Sequence, residues 1–134
     1  MDTKTLLFFE GHAAALPLYE ALESALFAAF PDMEKRVQKT QITFRRRCVF
    51  ACVSFTRVRP KAEMPEGCLV LTLCLPAPID SPRAAVRVEP YPGRWTNHLI
   101  LRRAEDLDAE LFRWIQAAYA FAARKGGRRG QDPE

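Results

Sequence analysis

The apolar residues of this chain follow two different periods. Near each end they recur every three to four residues, the spacing at which side chains share one face of a helix. The first such stretch covers residues 17–30, with Pro17 suited to a first helical turn and Pro31 ending the pattern. The second begins between Ala104 and Asp108 and reaches Arg124. The pattern therefore predicts one long helix towards each end of the chain.

Between these helices the apolar residues alternate with polar ones, as they do in strands with one buried face. The predicted strands are residues 34–37, 42–45, 49–57, 68–75, 84–88 and 95–103. The alternation is weakest over 84–88, which predicts an edge strand. Because the strands follow one another directly, we expect an antiparallel meander. The predicted fold class is α+β: a two-layer sandwich in which the N- and C-terminal helices cover one face of a sheet of five or six strands.

The strongest strand pattern predicts that the second face of this sheet is also apolar. The leucines of residues 68–75 share one face, whereas Val70 and Cys74 lie on the other. Strict alternation in the preceding strand puts Phe50 and Val53 on opposite sides, so one of them also belongs to the second face. An apolar sheet face of this size is not normally left in water. We expect it to form a homodimer interface or the floor of a ligand groove.

Length and composition indicate one domain. The chain has 134 residues, of which 1–125 are expected to form the domain and 126–134 a disordered polar tail after a helix stop at Gly126-Gly127. No signal peptide and no apolar run long enough to cross a membrane is visible, which favours a soluble cytoplasmic protein without a membrane partner.

The net charge and the cysteines limit the partners and metal sites that the sequence predicts. A net charge of +4 and a pI of about 9.1 are mildly basic, which is weak support for an anionic partner. The four cysteines form no Cys-x-x-Cys motif and have no histidine pair nearby. We therefore expect reduced, mostly buried thiols, no metal site and no cofactor.

Five short motifs occur along the chain, and together with the element order they carry a resemblance. They are Phe30-Pro31-Asp32, Gln38-Lys39-Thr40-Gln41-Ile42-x-Phe44, Tyr91-Pro92-x-Arg94-Trp95-Thr96-x-His98, Leu107-Asp108-x-Glu110-Leu111 and Ala118-Tyr119. Over nearly the whole chain they resemble a bacterial family that is curated only as a domain of unknown function. Its members are small stand-alone proteins, and related versions lie C-terminal to endonuclease-like proteins. The resemblance implies a fold and leaves the activity open.

The layout also resembles the frataxin-like sandwiches, which hold iron with an acidic ridge on the first helix. Here that helix offers only Glu20 and Glu23. Iron binding by that route is therefore not expected.

The densest polar cluster supplies the first candidate binding residues, Lys39, Thr40 and Gln41. A cation beside amide and hydroxyl groups is suited to hold a carboxylate or a phosphate. The alternative is a polar turn whose side chains bond to nearby backbone groups.

The last strand and the second helix supply the other candidates, Arg94, His98 and Tyr119. His98 and Trp95 differ in parity, so they face opposite sides of a regular strand, and Trp95 is expected in the core. A structural role for His98 through a hydrogen bond is the alternative to a functional one. Tyr119 lies beside the apolar stripe of its helix, from which its hydroxyl can reach a polar partner.

Three functions follow from these residues. The first is a non-enzymatic binding module whose site, on or at the edge of the sheet, recognises a small anionic ligand or a protein partner. The second is an accessory nucleic-acid-binding domain, suggested by the related fusions and the charge. The third is an enzyme with His98 or Lys39 as base, which no nucleophile motif or glycine-rich phosphate loop supports.

Overall fold

The computed structural model of the protein describes residues 2–125, which form an antiparallel sheet and three α-helices. The helices are α1 (Thr3–Phe8), α2 (Leu16–Ala29) and α3 (Ala109–Lys125). The strands are β1 (Glu34–Val37), β2 (Gln41–Arg45), β3 (Val49–Ser54), β4 (Leu69–Leu75), β5 (Ala84–Tyr91) and β6 (Arg94–Leu101). The predicted α+β class is confirmed. The predicted helix stop at Gly126-Gly127 and the predicted disordered tail lie outside the described residues.

The two long helices begin and end where local chemistry sets their limits. Pro17 occupies the first turn of α2, where its missing N–H breaks no helical bond. At the start of α3 the Asp108 carboxylate accepts from the Leu111 backbone N–H at 3.0 Å, which satisfies one of the free donors of the first turn. The apolar stripe of α3 is buried at Leu111, Ile115, Ala118 and Ala122. In α2 the leucines Leu18, Leu22 and Leu26 are buried, whereas Ala25 is half-buried and Ala29 is exposed.

The order of the strands across the sheet is β1-β2-β3-β4-β6-β5, so the predicted meander is wrong at one point. β6 lies between β4 and β5 and pairs antiparallel with both. The connection of residues 76–83 is long enough to carry the chain past one strand position. β6 is buried along most of its length, whereas β5 is mostly exposed and contains Pro90, which belongs at an edge. The predicted edge position of the 84–88 segment is therefore confirmed.

The helices cover one face of the sheet, and the leucines of β4 lie on it. This helix-covered face joins both helices in one core and includes Ile42, Val53, Leu69, Leu71, Leu73 and Leu99. Asn97 is the polar exception: its side chain is fully buried and accepts from the Ile79 backbone N–H at 2.8 Å. Buried polar atoms need such partners to avoid a desolvation penalty.

The expectation that Phe50 or Val53 belongs to the second face is wrong. A register shift opposite Phe44 and Arg45 leaves Phe50 as an extra residue in β3. At such a bulge strict alternation is lost. Phe50 and Val53 are both fully buried in the core, where the Phe50 ring packs against Tyr119.

Lys35 ties the edge strand β1 to the helices. Its ammonium group donates to the Glu23 carboxylate of α2 at 2.8 Å and to the Thr5 hydroxyl of α1 at 2.6 Å. Because side chains alternate along a strand, Glu34 and Arg36 point to the opposite, helix-free face.

Candidate functional site

Side chains on the helix-free face lie in rows that the strand register defines. One row crosses the whole sheet: Arg36, Thr43, Cys52, Thr72, His98 and Val86. Val70, Cys74 and Ile100 also lie on this face, and they are buried without belonging to the helix-side core. The face therefore changes from cationic at β1 through small polar groups to apolar side chains at β5.

His98 is the fifth of the six side chains in this row and is a half-buried, hydrogen-bonded imidazole. Its Nδ1 atom lies 2.8 Å from the Thr72 hydroxyl, which donates or accepts according to the tautomer. Burial lowers the pKa of His98 below its usual value. The ring is therefore neutral at physiological pH and offers hydrogen bonds, not charge.

The Cys52 thiol, which lies in this row, is protonated. Burial raises the pKa of Cys52 to about 12; the neighbouring Cys74 also raises it and a hydrogen bond with Thr72 opposes the shift. Reactive cysteines instead have lowered pKa values. The four cysteines carry thiols and not disulfides, with Cys48 and Cys74 buried and the other two half-buried. Arg94, 8% exposed, reaches this region, with its Nη2 atom 3.8 Å from the Cys74 sulfur.

A concentration of positive charge lies at the β1–β2 margin, where the chain turns from β2 into β3. An open cleft of about 400 Å³, which we call the arginine cleft, is lined there by Asp32, Glu34, Arg36, Arg45, Arg46 and Arg47. Arg47 has a φ of 96°, a left-handed conformation, and its carbonyl accepts from the Arg45 guanidinium at 3.0 Å. The turn thus directs consecutive arginines to one place.

A hydrogen-bonded carboxylate borders this cleft. The Tyr119 hydroxyl donates to one oxygen of Asp32 at 2.7 Å, and Arg46 Nε approaches the other oxygen at 3.0 Å. The Tyr119 bond is the main cause that lowers the pKa of Asp32, and the charge of Arg46 lowers it further. The carboxylate is therefore ionised at neutral pH and orients Arg46.

Two cations of the cleft have no such partner. Within residues 2–125, neither the Arg36 nor the Arg47 guanidinium makes an ion pair or a side-chain hydrogen bond, and both residues are exposed. Their donors are available to a ligand.

The structure separates the residues that the sequence suggested as one site. Lys39 and Thr40 form the exposed turn between β1 and β2, and Gln41 donates to Gln38 at 3.2 Å. Gln41 shares the helix-free face with His98, but three strand spacings, about 14 Å, lie between β2 and β6. Arg94 is on the same strand as His98.

Tyr119 is on the helix side and reaches the arginine cleft through Asp32. The cleft arginines were absent from the predicted site. The run Arg45-Arg46-Arg47, together with an arginine two residues before the hairpin turn, is the signal that points to them.

Two other expectations concern metals and membranes. In the described part of the chain, no group of three or more His, Cys, Asp or Glu side chains is placed to hold a metal ion. None of the helices described above is long and apolar enough to cross a membrane.

The chain belongs to the family described as Domain of unknown function (DUF5655), whose model matches residues 7–122. No curated protein and no solved structure matches the chain. The predicted membership of a family of unknown function is thereby confirmed, and the frataxin-like layout stays a prediction.

Proposed function

We propose that this protein is a non-enzymatic binding module that holds a small anionic ligand in the arginine cleft, at the margin of the helix-free sheet face. The observation that supports this most directly is the pair of exposed guanidinium groups, Arg36 and Arg47, that have no partner among the described residues. Four arginines and only two carboxylates line the cleft. Such an excess of positive charge in one concavity attracts anions.

Arginine is suited to this role because its planar group donates two parallel hydrogen bonds to a carboxylate or a phosphate. Arg46 is held in place by Asp32, so a ligand that binds beside it loses little side-chain freedom. Arg36 and Arg47 then supply the charge that the ligand neutralises. A phosphate or a carboxylate is the ligand group that this arrangement fits.

A ligand with a longer body would extend along the row that begins at Arg36. Thr43, Cys52 and Thr72 offer small side chains, and His98 lies beyond them as a neutral hydrogen-bonding group. Arg94 lies further along the same face. These residues are candidate contacts for the remainder of a ligand, whereas Lys39 and Thr40 project from the opposite end of β2.

Catalysis with His98 or Lys39 as base is not part of this proposal. His98 lines none of the clefts described, and Lys39 is three strand spacings away from it. A base must lie within hydrogen-bond reach of a bound substrate.

Isothermal titration with inorganic pyrophosphate at low ionic strength tests the proposal. We expect saturable binding that Arg36→Gln or Arg47→Gln each weakens about fivefold to tenfold. Arg113→Gln, which removes an exposed arginine of α3 outside the cleft, is the matched control and should leave the affinity unchanged. If all three variants lost the same affinity for pyrophosphate, binding at a specific cleft would be refuted, because nonspecific attraction depends only on the net charge of the protein.

A nucleic acid is the alternative ligand, because its backbone carries the same phosphate chemistry. Two groups of described basic residues lie at opposite ends of the sheet, one at the arginine cleft and the other around Arg57, Arg59, Lys61 and Arg102, and further ones such as Arg113 and Arg124 lie on α3. They do not form the single stripe that such binding favours. Oligonucleotide affinity that falls steeply with salt, together with no pyrophosphate binding, would favour this alternative.

A second copy of the chain is the other partner that the helix-free face could take. Val88 on this face and Tyr91 near its edge are 47% and 48% exposed, although both are large and apolar. Sedimentation equilibrium tests this directly: a dimer that Val88→Ser dissociates would support it, and a monomer at all accessible concentrations would oppose it.

A further inference from the structure

A second cleft lies at the other end of the sheet from the arginine cleft. It encloses about 180 Å³ and is formed by three segments, residues 11–15, 55–57 and 64–69. We call it the Arg57 cleft. Gly67 has a φ of 92°, and a Cβ atom there would lie 3.4 Å from the Ala14 carbonyl oxygen. The segments are therefore in close contact at the back of the cleft.

The inner part of the Arg57 cleft is apolar. Phe55 is half-buried, and the His12 ring stacks on it with centroids 3.8 Å apart and planes 7° from parallel. Leu69 is fully buried, and Met64 is half-buried. Burial raises the pKa of the Cys68 thiol, so this side chain adds no charge to the lining. A small apolar group fits this surface.

The rim of the cleft carries one cation and one anion that do not neutralise each other. Arg57 and Glu66 are both exposed lining residues, and within residues 2–125 neither forms an ion pair or a side-chain hydrogen bond. Pairing does occur nearby, where Arg59 lies 3.7 Å from Glu63. Both unpaired charges therefore line the same cleft as the apolar side chains Phe55, Met64 and Leu69.

We propose that the Arg57 cleft binds a small zwitterion, an α-amino acid with an apolar side chain. Its carboxylate would pair with the Arg57 guanidinium, its ammonium group with the Glu66 carboxylate, and its side chain would pack on Phe55 and Met64. The volume of about 180 Å³ is the share of roughly six water molecules and lies below the range of about 300–1,000 Å³ for drug-sized ligands. This size fits an amino acid and is small for a nucleotide.

The test is a titration of isotope-labelled full-length protein with three related probes: L-leucine, L-leucinamide and N-acetyl-L-leucine. The second probe lacks the carboxylate, and the third lacks the ammonium group. Backbone amide signals of Gly11 and Gly67, which line the cleft, report occupancy by NMR. We expect leucine to bind about tenfold more tightly than either analogue, since each analogue loses one charge-assisted contact.

Protein variants assign each charge to its partner. Arg57→Gln should weaken leucine binding about tenfold and leave leucinamide unaffected, whereas Glu66→Gln should weaken leucine and leave N-acetyl-L-leucine unaffected. Both residues are exposed without partners, so neither change is expected to impair folding. Lys61→Gln, an exposed change outside the lining, is the control.

Three results would overturn the proposal. The first is that the Gly11 and Gly67 signals show no saturable shift up to about 20 mM leucine. The second is that either analogue binds as tightly as leucine. The third is that Arg57→Gln or Glu66→Gln changes the affinity for the analogue that lacks the matching charge. The pyrophosphate titration concerns other residues, so each proposal can fail alone.

Discussion

The attachment of β1 to the helices through Lys35 can be tested by a double-mutant cycle with Glu23. Lys35→Met keeps an unbranched apolar stem of similar length and removes the terminal ammonium group. The Glu23 carboxylate, 2.8 Å from the lysine nitrogen, then loses its cation in a place where water reaches it poorly. Thr5, which is fully buried, also loses its 2.6 Å partner.

The burial of the pair sets the expected magnitude. The Lys35 and Glu23 side chains are 13% and 20% exposed. Breaking a fully buried pair costs about 3–5 kcal/mol, whereas an exposed pair contributes about 0–1 kcal/mol. We therefore expect Lys35→Met to lower the free energy of unfolding by about 2 kcal/mol and the coupling energy with Glu23→Gln to be about 1–1.5 kcal/mol.

Urea unfolding of the wild type, the two single variants and the double variant measures this coupling. The exposed pair between Arg46 and Asp32, with side chains 39% and 56% exposed, supplies the matched control cycle. Its coupling energy should stay below about 1 kcal/mol. The reasoning is refuted if the Lys35–Glu23 coupling is no larger than that of the control pair.

Three further predictions concern the sheet and its loops. Because burial lowers the pKa of His98, the unfolded chain binds more protons than the folded chain near and below about pH 6.5. Stability should therefore fall as the pH drops through this value, and His98→Gln should flatten the profile of urea midpoint against pH between about pH 5 and 7. Leu71 is fully buried in the centre of β4, so Leu71→Ala should lower the free energy of unfolding by about 2–5 kcal/mol. A decrease below about 1 kcal/mol in urea unfolding would contradict its place in the core. Gly67→Ala and Gly93→Ala each place a side chain at positive φ and should each lower thermal stability by about 1–2 kcal/mol; a neutral result at Gly93, where no atom lies within 4 Å of the new Cβ, would refute the backbone argument.

The parts of the fold that the sequence predicts well are those with an uninterrupted period. The leucines of β4 and the apolar stripe of α3 repeat without exception, and both are buried as expected. Phe50 departs from prediction because a bulge inserts one residue into β3, and alternation by itself cannot locate such an insertion. The position of β6, and not β5, beside β4 goes with the greater burial of β6, which a strand order taken from the order in the chain does not use.

The candidate sites are harder to predict because each combines residues from separate segments. The arginine cleft joins β1 to the turn before β3, and the Arg57 cleft joins three loops. Arg45-Arg46-Arg47 is visible as a charged run, but the local sequence does not show that Arg46 is held by Asp32 or that Arg36 is unpaired. Pairing among charges depends on packing, and packing decides which of them a ligand can reach.

β1 illustrates how one short strand separates an anchoring charge from a binding charge. Consecutive residues point to opposite faces, so Lys35 pairs with Glu23 on the helix side, whereas Arg36, directly after it, lies on the helix-free face. Lys35→Met should therefore lower stability and also weaken pyrophosphate binding indirectly, because β1 pairs with β2 alone among the described strands and loses the hydrogen bonds of Lys35 to α1 and α2. Arg36→Gln should weaken binding and leave the urea midpoint unchanged. If Arg36→Gln destabilised the protein as much as Lys35→Met, the arginine would be part of the fold's support, and the proposed anion site would lose its main cation.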